Sequence, residues 1–381
     1  MKRDGSAARE QRKQGRSHAS VRKRKGGLTI NEASRERLKK VDAVAFDCDG
    51  VLIDARRSYD ATIIAVVEMM VKDLTRVRLR IAKVAPNLIA VIRRTGGFNS
   101  DWDTTYALTL VSVVALDKTR RPLGPRRDPL DAVREIVEEF GSAPRETGRV
   151  ALDNFLDARF PSFQERLDKA REHLGYPSRS TESRLARTFD EIYFGGALFE
   201  KLHGEPAKDP RRKGLIELER VLVRRKTLES IAKVVGPARL VMITGRPYIG
   251  TEHSLGKVLM SYFHRGSSMF IGDADIFPEL REEYDRYRKP SPEALLRASE
   301  RLSSSMLLYV GDSGEDVMMV QHAREKGLKN FLFAGVYETS PDKKEQLSFF
   351  EREGADVTLN SVNMVPSALL HPSKKEEAAQ E

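Results

Sequence analysis

VDAVAFDCDGV, residues 41–51, decides how the rest of the chain is read. Ala43 to Phe46 form an apolar run with no polar alternation, which leads directly into Asp47-Cys48-Asp49-Gly50. A strand without alternation is buried on both faces, as in a parallel sheet covered by helices on each side. Open sheets of that kind place their ligands at the carboxyl ends of the strands, so two acids at such an end are candidate functional groups.

Working outward, five further stretches have the same character: RLVMITG (239–245), SMFIGD (268–273), MLLYVGD (306–312), NFLFAGVY (330–337) and ADVTLN (355–360). The later ones alternate with helical patterns, PEALLRASERL, EDVMMVQHAREKGL and PDKKEQLSFFEREG. This predicts an α/β fold, a Rossmann-like doubly wound parallel sheet. The alternation breaks between the first and second strands, where helical periodicity dominates: residues 59–74, 101–116, 130–140 and 215–235. A stretch of that length is no loop. The expected organisation is a core over 39–56 and 231–368, an inserted all-helical domain over 57–230, and disordered tails at 1–38 and 369–381.

The chain has 381 residues, 32% charged and 40% hydrophobic, which is polar but leaves room for a sizeable core. The net charge is +10, of which residues 1–27 carry +8, so the folded part is nearly neutral. That basic tail has no aromatic residues for base stacking, and nucleic acid is an unfavoured partner. A single cysteine excludes a disulfide framework and multi-cysteine metal sites, and fits a reducing compartment. No apolar run approaches a membrane span, and the first residues have no apolar signal core. A soluble, cytoplasmic protein is the expectation.

Chemistry is concentrated at the loop ends. Asp47 and Asp49 follow the first strand, Thr244 and Gly245 end the second, and Asp312 and Asp316 follow the fourth. Lys289 precedes Pro290-Ser291-Pro292 on a rigid pre-helical turn. A nucleophilic carboxylate, a neighbouring acid/base, a hydroxyl, a lysine and an acidic metal site suit phosphoryl transfer, which depends on positioning and charge neutralisation. Mg2+, a hard cation that keeps several waters, suits such an oxygen set.

Taken in order, DCDGV (47–51), ITGR (243–246), KPSP (289–292) and GDSGED (311–316) resemble the four motifs of the haloacid dehalogenase-like hydrolase superfamily. The helical insert after the first motif resembles that superfamily's C1 cap, though it is larger. FDCDGVLIDARRSY followed by GGFNSDWDTTYAL is similar to a subgroup related to phosphoglycolate phosphatases. The resemblance implies that Asp47 is the nucleophile and forms an aspartyl-phosphate, with Asp49 as acid and then base. Thr244, Gly245 and Lys289 would bind the phosphoryl group. Asp47, Asp312 and the Asp49 backbone carbonyl would hold Mg2+, supported by Asp316. In the cap, Arg94, Gly97 and Asn99 are the candidate substrate contacts.

The resulting expectation is a Mg2+-dependent phosphatase acting on a small phosphorylated metabolite. Phosphoglycolate, a sugar phosphate and histidinol phosphate are admissible, in that order. A phosphomutase of the same superfamily is the alternative, and a nucleic-acid-associated protein anchored by its tail is the alternative from another class. Dehalogenation is disfavoured because halide leaves unprotonated and needs no Asp49.

Overall fold

The computed structural model describes residues 22–98, 100–120, 128–142, 147–178, 181–276 and 286–370. All six expected strands are present: β3 (Ala43–Phe46), β6 (Leu240–Thr244), β7 (Met269–Phe270), β8 (Leu307–Gly311), β9 (Phe331–Val336) and β10 (Val357–Leu359). They lie parallel in the order β10-β9-β8-β3-β6-β7, with β3 between β8 and β6. The period of two explains the unbroken apolar runs. Val44, Phe46, Met242, Leu308 and Val310 pack on one face, and Ala43, Ala45, Val241, Ile243, Leu307 and Tyr309 on the other.

Helices cover both faces. One is covered by α10 (Arg225–Val235) and α16 (Val365–Leu369), through Leu228, Ile231, Val365 and Ala368. The other is covered by α13 (Glu293–Leu302), α14 (Gly314–Glu325) and α15 (Lys343–Arg352), through Leu295, Ala298, Val320 and Phe350. α11 (Tyr248–Met260) links β6 to β7, and α12 (Asp273–Ile276) follows β7.

The insert leaves the core after a short strand, β4 (Ile53–Asp54), and returns through β5 (Arg220–Val221), which pairs with β4 antiparallel. Between them run α2 (Arg56–Thr75), α3 (Ala85–Arg94), α4 (Asp101–Arg120), α5 (Pro129–Ser142), α6 (Gly148–Arg159), α7 (Gln164–Leu174), α8 (Arg184–Phe194) and α9 (Gly196–His203). They share a hydrophobic core separate from that of the sheet. α4 is its axis: apolar almost all round, it buries even Thr105 and Thr109. Their hydroxyls donate back to the carbonyls of Asp101 and Thr105, each at 2.7 Å, which satisfies both within the helix.

Three sequence-based boundaries change. Residues 22–38 are not a structureless tail. β1 (Arg22–Lys25) and β2 (Leu28–Asn31) form a hairpin, and β2 pairs antiparallel with β10, so the sheet gains two strands at that edge. Leu28 and Ile30 are buried there, and α1 (Arg35–Leu38) follows and buries Leu38. The apolar content of 28–38, diluted by the basic residues before it, is enough to dock on an edge already built. Residues 1–21 and 371–381 lie outside the described residues.

The stretch 215–235 is not one helix. A 3-10 turn (Leu215–Leu218), an extended Glu219, β5 and then α10 replace it. Leu222, Val223, Leu228 and Ile231 pack with the sheet, which moves the end of the insert back from 230 to about Glu219. Periodicity alone could not detect the break, because α10 and the 3-10 turn have compatible apolar spacing.

Candidate active site

Asp47 continues the β3 ladder by donating its N–H to the Val310 carbonyl at 2.9 Å. The chain then turns tightly. The Cys48 carbonyl accepts from the N–H groups of Leu52 and Ile53 at 2.8 and 3.0 Å, and Cys48, Val51 and Leu52 are fully buried. Gly50 makes the turn at φ +75°, and a methyl group there would overlap the Asp312 carboxylate. The turn thus lets a backbone pass directly beneath an acid from β8.

Around Asp47 the charges interlock. Lys289 Nζ lies 2.9 Å from Asp47 Oδ1 and 2.7 Å from Asp316 Oδ1. Lys289 is steadied from behind, since His322 Nδ1 donates to the Pro290 carbonyl at 3.0 Å. Asp316 is fully buried and caps α14. It accepts from the N–H groups of Asp312 and Ser313, from Ser313 Oγ and from Tyr309 Oη, at 3.1, 3.0, 2.7 and 2.9 Å. Lys289 and these donors hold Asp316 below the usual carboxylate range even though burial pushes it upward.

Asp47 goes the other way. Burial pushes its carboxyl up to about 7, opposed by Lys289 and reinforced by Asp316 and Asp49. Burial also raises Asp312 well above its ordinary value, with Asp316 and Asp47 adding to the shift. Two neighbouring acids that resist ionisation are acids a divalent cation would stabilise. Among the described residues, Asp47, Asp312 and Asp316 present carboxylate oxygens within 4.8 Å of one another. Carboxylate oxygens gathered this closely are the donor type a hard divalent cation takes. Asp316 is already engaged by Lys289, Ser313 and Tyr309, so Asp47 and Asp312 are the carboxylates of the three that could hold a metal.

Thr244 and Gly245 end β6 beside this cluster. Thr244 is buried and its hydroxyl accepts from the Arg246 N–H at 3.1 Å, leaving its own proton to donate. Gly245 is exposed, with open space where a Cβ would stand. Asp49 points to a second cluster, with its Oδ1 2.8 Å from Arg246 Nη1. Burial raises the Asp49 carboxyl, Arg246 opposes this, and Glu219 and Asp101 add to the rise.

A model of the haloacid dehalogenase-like hydrolases, a hydrolase family, matches residues 41–324. The chain belongs to that family. Its fold is similar to an X-ray structure determined as a Northeast consortium structural-genomics target, at TM-score 0.56 and 18% identity, covering 86% of this chain and 98% of that one. It is also similar to the phosphatase Tt82 from Thermococcus thioreducens, at TM-score 0.50 and 24% identity, covering 82% of this chain and 99% of the other. Among curated proteins none is significantly similar to the chain.

Within this haloacid dehalogenase-like frame, the expectations for the insert fare differently from those for the core. Arg94 is exposed, and its Nε donates to the Ala90 carbonyl of its own helix at 3.1 Å. Gly97 packs against the backbone of Gly148, a close approach that accounts for a glycine there. Neither carries a contact to the Asp47 cluster, and Asn99 lies outside the described residues. Arg93 is exposed as well, but it pairs with acids of the insert, with Asp101 at 2.5 Å and Asp60 at 3.9 Å. The choice between adjacent arginines depends on helix rotation, which one turn of periodicity does not specify.

Sequence reading also missed Glu219. It is buried and accepts from Tyr193 Oη at 2.6 Å, Ser254 Oγ at 2.5 Å and Arg246 Nη2 at 2.9 Å. The one available signal was the charged pair Glu219-Arg220 interrupting an apolar stretch.

Proposed function

We propose that this chain is a Mg2+-dependent phosphatase that hydrolyses a phosphomonoester of a small metabolite through an aspartyl-phosphate. The observation that carries the reading is the Lys289 ammonium held between Asp47 and Asp316 while the Asp312 carboxylate closes on Asp47. That arrangement presents one carboxylate oxygen and a balancing cation to an incoming phosphoryl group.

An Asp47 carboxylate oxygen forms a bond to phosphorus as the bond from phosphorus to the leaving oxygen breaks. Asp49 gives its proton to that oxygen, and the alcohol departs. Asp49 then takes a proton from water, whose oxygen attacks phosphorus and displaces Asp47, releasing inorganic phosphate. Thr244 and the Gly245 N–H orient the phosphoryl oxygens, and Lys289 offsets their charge. Mg2+, held by Asp47, Asp312 and the Asp49 backbone carbonyl, would neutralise charge on the same oxygens.

The helical insert acts as a cap that excludes bulk water and limits substrate size. Its face toward Asp49 offers Asp60 and Asp101, with Arg93 engaged between them. A hydroxyl-rich leaving group such as a sugar suits that face better than the carboxylate of phosphoglycolate, which the acids would repel. Among the described residues no helix is long and apolar enough to cross a membrane, and the single buried cysteine suits a cytoplasmic setting.

A phosphate-release screen of the purified protein against small phosphomonoesters, with and without Mg2+, tests the reading. Magnesium-dependent release from at least one sugar phosphate is expected. Release from none, or release indifferent to chelation, would overturn it.

A further inference from the structure

Arg246 is among the largest side chains in the protein to be fully buried, and both ends of its guanidinium fork are used. Nη1 reaches Asp49 Oδ1 at 2.8 Å, and Nη2 reaches Glu219 Oε2 at 2.9 Å. Its Nε, also buried, has no partner. An arginine placed for its own comfort would satisfy Nε, so the two carboxylates dictate the position of this fork.

Glu219 is in turn held from both parts of the molecule. Ser58, at the start of the insert, donates to its Oε1 at 3.0 Å, and Tyr193 of α8 at 2.6 Å. Ser254 of α11, in the core, donates to Oε2 at 2.5 Å. Tyr59 stacks on Tyr193, with centroids 4.7 Å apart and planes at 11°, and Arg246 lies 6.0 Å from the centre of the Tyr59 ring. Both crossings between core and insert therefore close on one buried carboxylate, and a single arginine connects that carboxylate to Asp49.

We propose that Glu219 and Arg246 are positioning residues that aim the Asp49 carboxyl at the leaving-group oxygen, with Glu219 anchoring Arg246 to the base of the insert. The proposal rests on the phosphatase reading above. With Oδ1 fixed by Arg246, Oδ2 is the oxygen left to carry the proton. Loosening the fork lets the carboxyl rotate, which impairs proton delivery and leaves phosphoryl binding by Lys289 and Thr244 in place.

Leaving-group dependence separates this role from a merely structural one. A nitrophenolate leaves without help, whereas an alkoxide needs the proton from Asp49. First-turnover release of nitrophenol from p-nitrophenyl phosphate should fall less than about threefold in Glu219→Gln, while first-turnover release of alcohol from an alkyl phosphate falls about a hundredfold, with KM little changed. Arg246→Lys and the milder Tyr193→Phe should show the same selectivity in smaller degree, which keeps the test decisive should Glu219→Gln fold poorly. Equal losses on both substrates, or none on either, would overturn the positioning role. A wild-type protein that releases phosphate neither from these esters nor from any sugar phosphate would instead reject the phosphatase reading itself.

Discussion

In the α/β core, the candidate catalytic side chains hang from strand ends. Asp47 and Asp312 follow β3 and β8, Thr244 is the last residue of β6, and backbone pairing fixes the spacing of those strands. In the helical insert, the side chains that approach the site come from helix ends and from the return crossing: Asp60, Arg93, Asp101 and Glu219. A strand end is located by a ladder of hydrogen bonds with a period of two, and the ligand side follows from topology. A helix end is located by how whole helices pack, which local sequence does not specify. The core should therefore carry chemistry common to many substrates, and the insert should carry selectivity.

Substitutions can break that division. The largest effect is expected from Asp47→Asn, which keeps the volume of the side chain and removes the nucleophile. Phosphate release should fall roughly ten-thousandfold or more on every substrate, with the thermal unfolding midpoint little moved. Measurable turnover in that variant would remove Asp47 from the reaction.

Gly50→Ala comes next. Its methyl must displace the Asp312 carboxylate, and the left-handed backbone at φ +75° adds strain. Turnover should fall about a hundredfold, since misplacement of ~1 Å costs that much. A magnesium titration should show a weaker apparent affinity. An unchanged magnesium dependence would separate Asp312 from the metal site.

In the insert, Arg93→Ala leaves Asp60 and Asp101 unneutralised beside an anionic substrate. The expected result is a KM raised about tenfold, equivalent to ~1.4 kcal/mol, with kcat nearly kept. Arg94→Ala, at an exposed arginine, should stay within about twofold. A reversed ranking of the two arginines would mean that the insert reads substrate through a different face.

The smallest effect on activity belongs to Asp42, which lies just before β3, at the end of the sheet away from the site. Its carboxylate accepts from Ser304 Oγ at 2.6 Å and from the Ser305 N–H and Oγ at 2.9 and 2.8 Å. Partial burial pushes the group upward, but these hydrogen bonds win and hold it below its usual 3.8. Because the folded value is the lower one, the stabilisation is fully present above about 3.8 and is lost as pH falls through the folded value. Asp42→Asn should cost ~1–2 kcal/mol at neutral pH by urea unfolding. The difference from wild type should shrink in acid, with turnover unchanged.

Local sequence was sufficient for the six parallel strands and for the four segments that carry Asp47, Thr244, Lys289 and Asp312, because apolar runs and turn chemistry act over a few residues. It failed where a segment takes its structure from an edge or a junction built elsewhere. β2 is a strand because β10 offers an open edge, and Glu219 is extended because the insert must return beside β4.

What the amino-acid sequence determined alone was a parallel α/β core with acids at its strand ends and a large helical insertion, since periodicity and strand-end chemistry are written residue by residue. Only the tertiary structure decided that Arg93 rather than Arg94 pairs with Asp60 and Asp101, and that Arg246 links Glu219 to Asp49. Those relations join residues up to 197 positions apart, and nothing but packing brings such distant groups into contact.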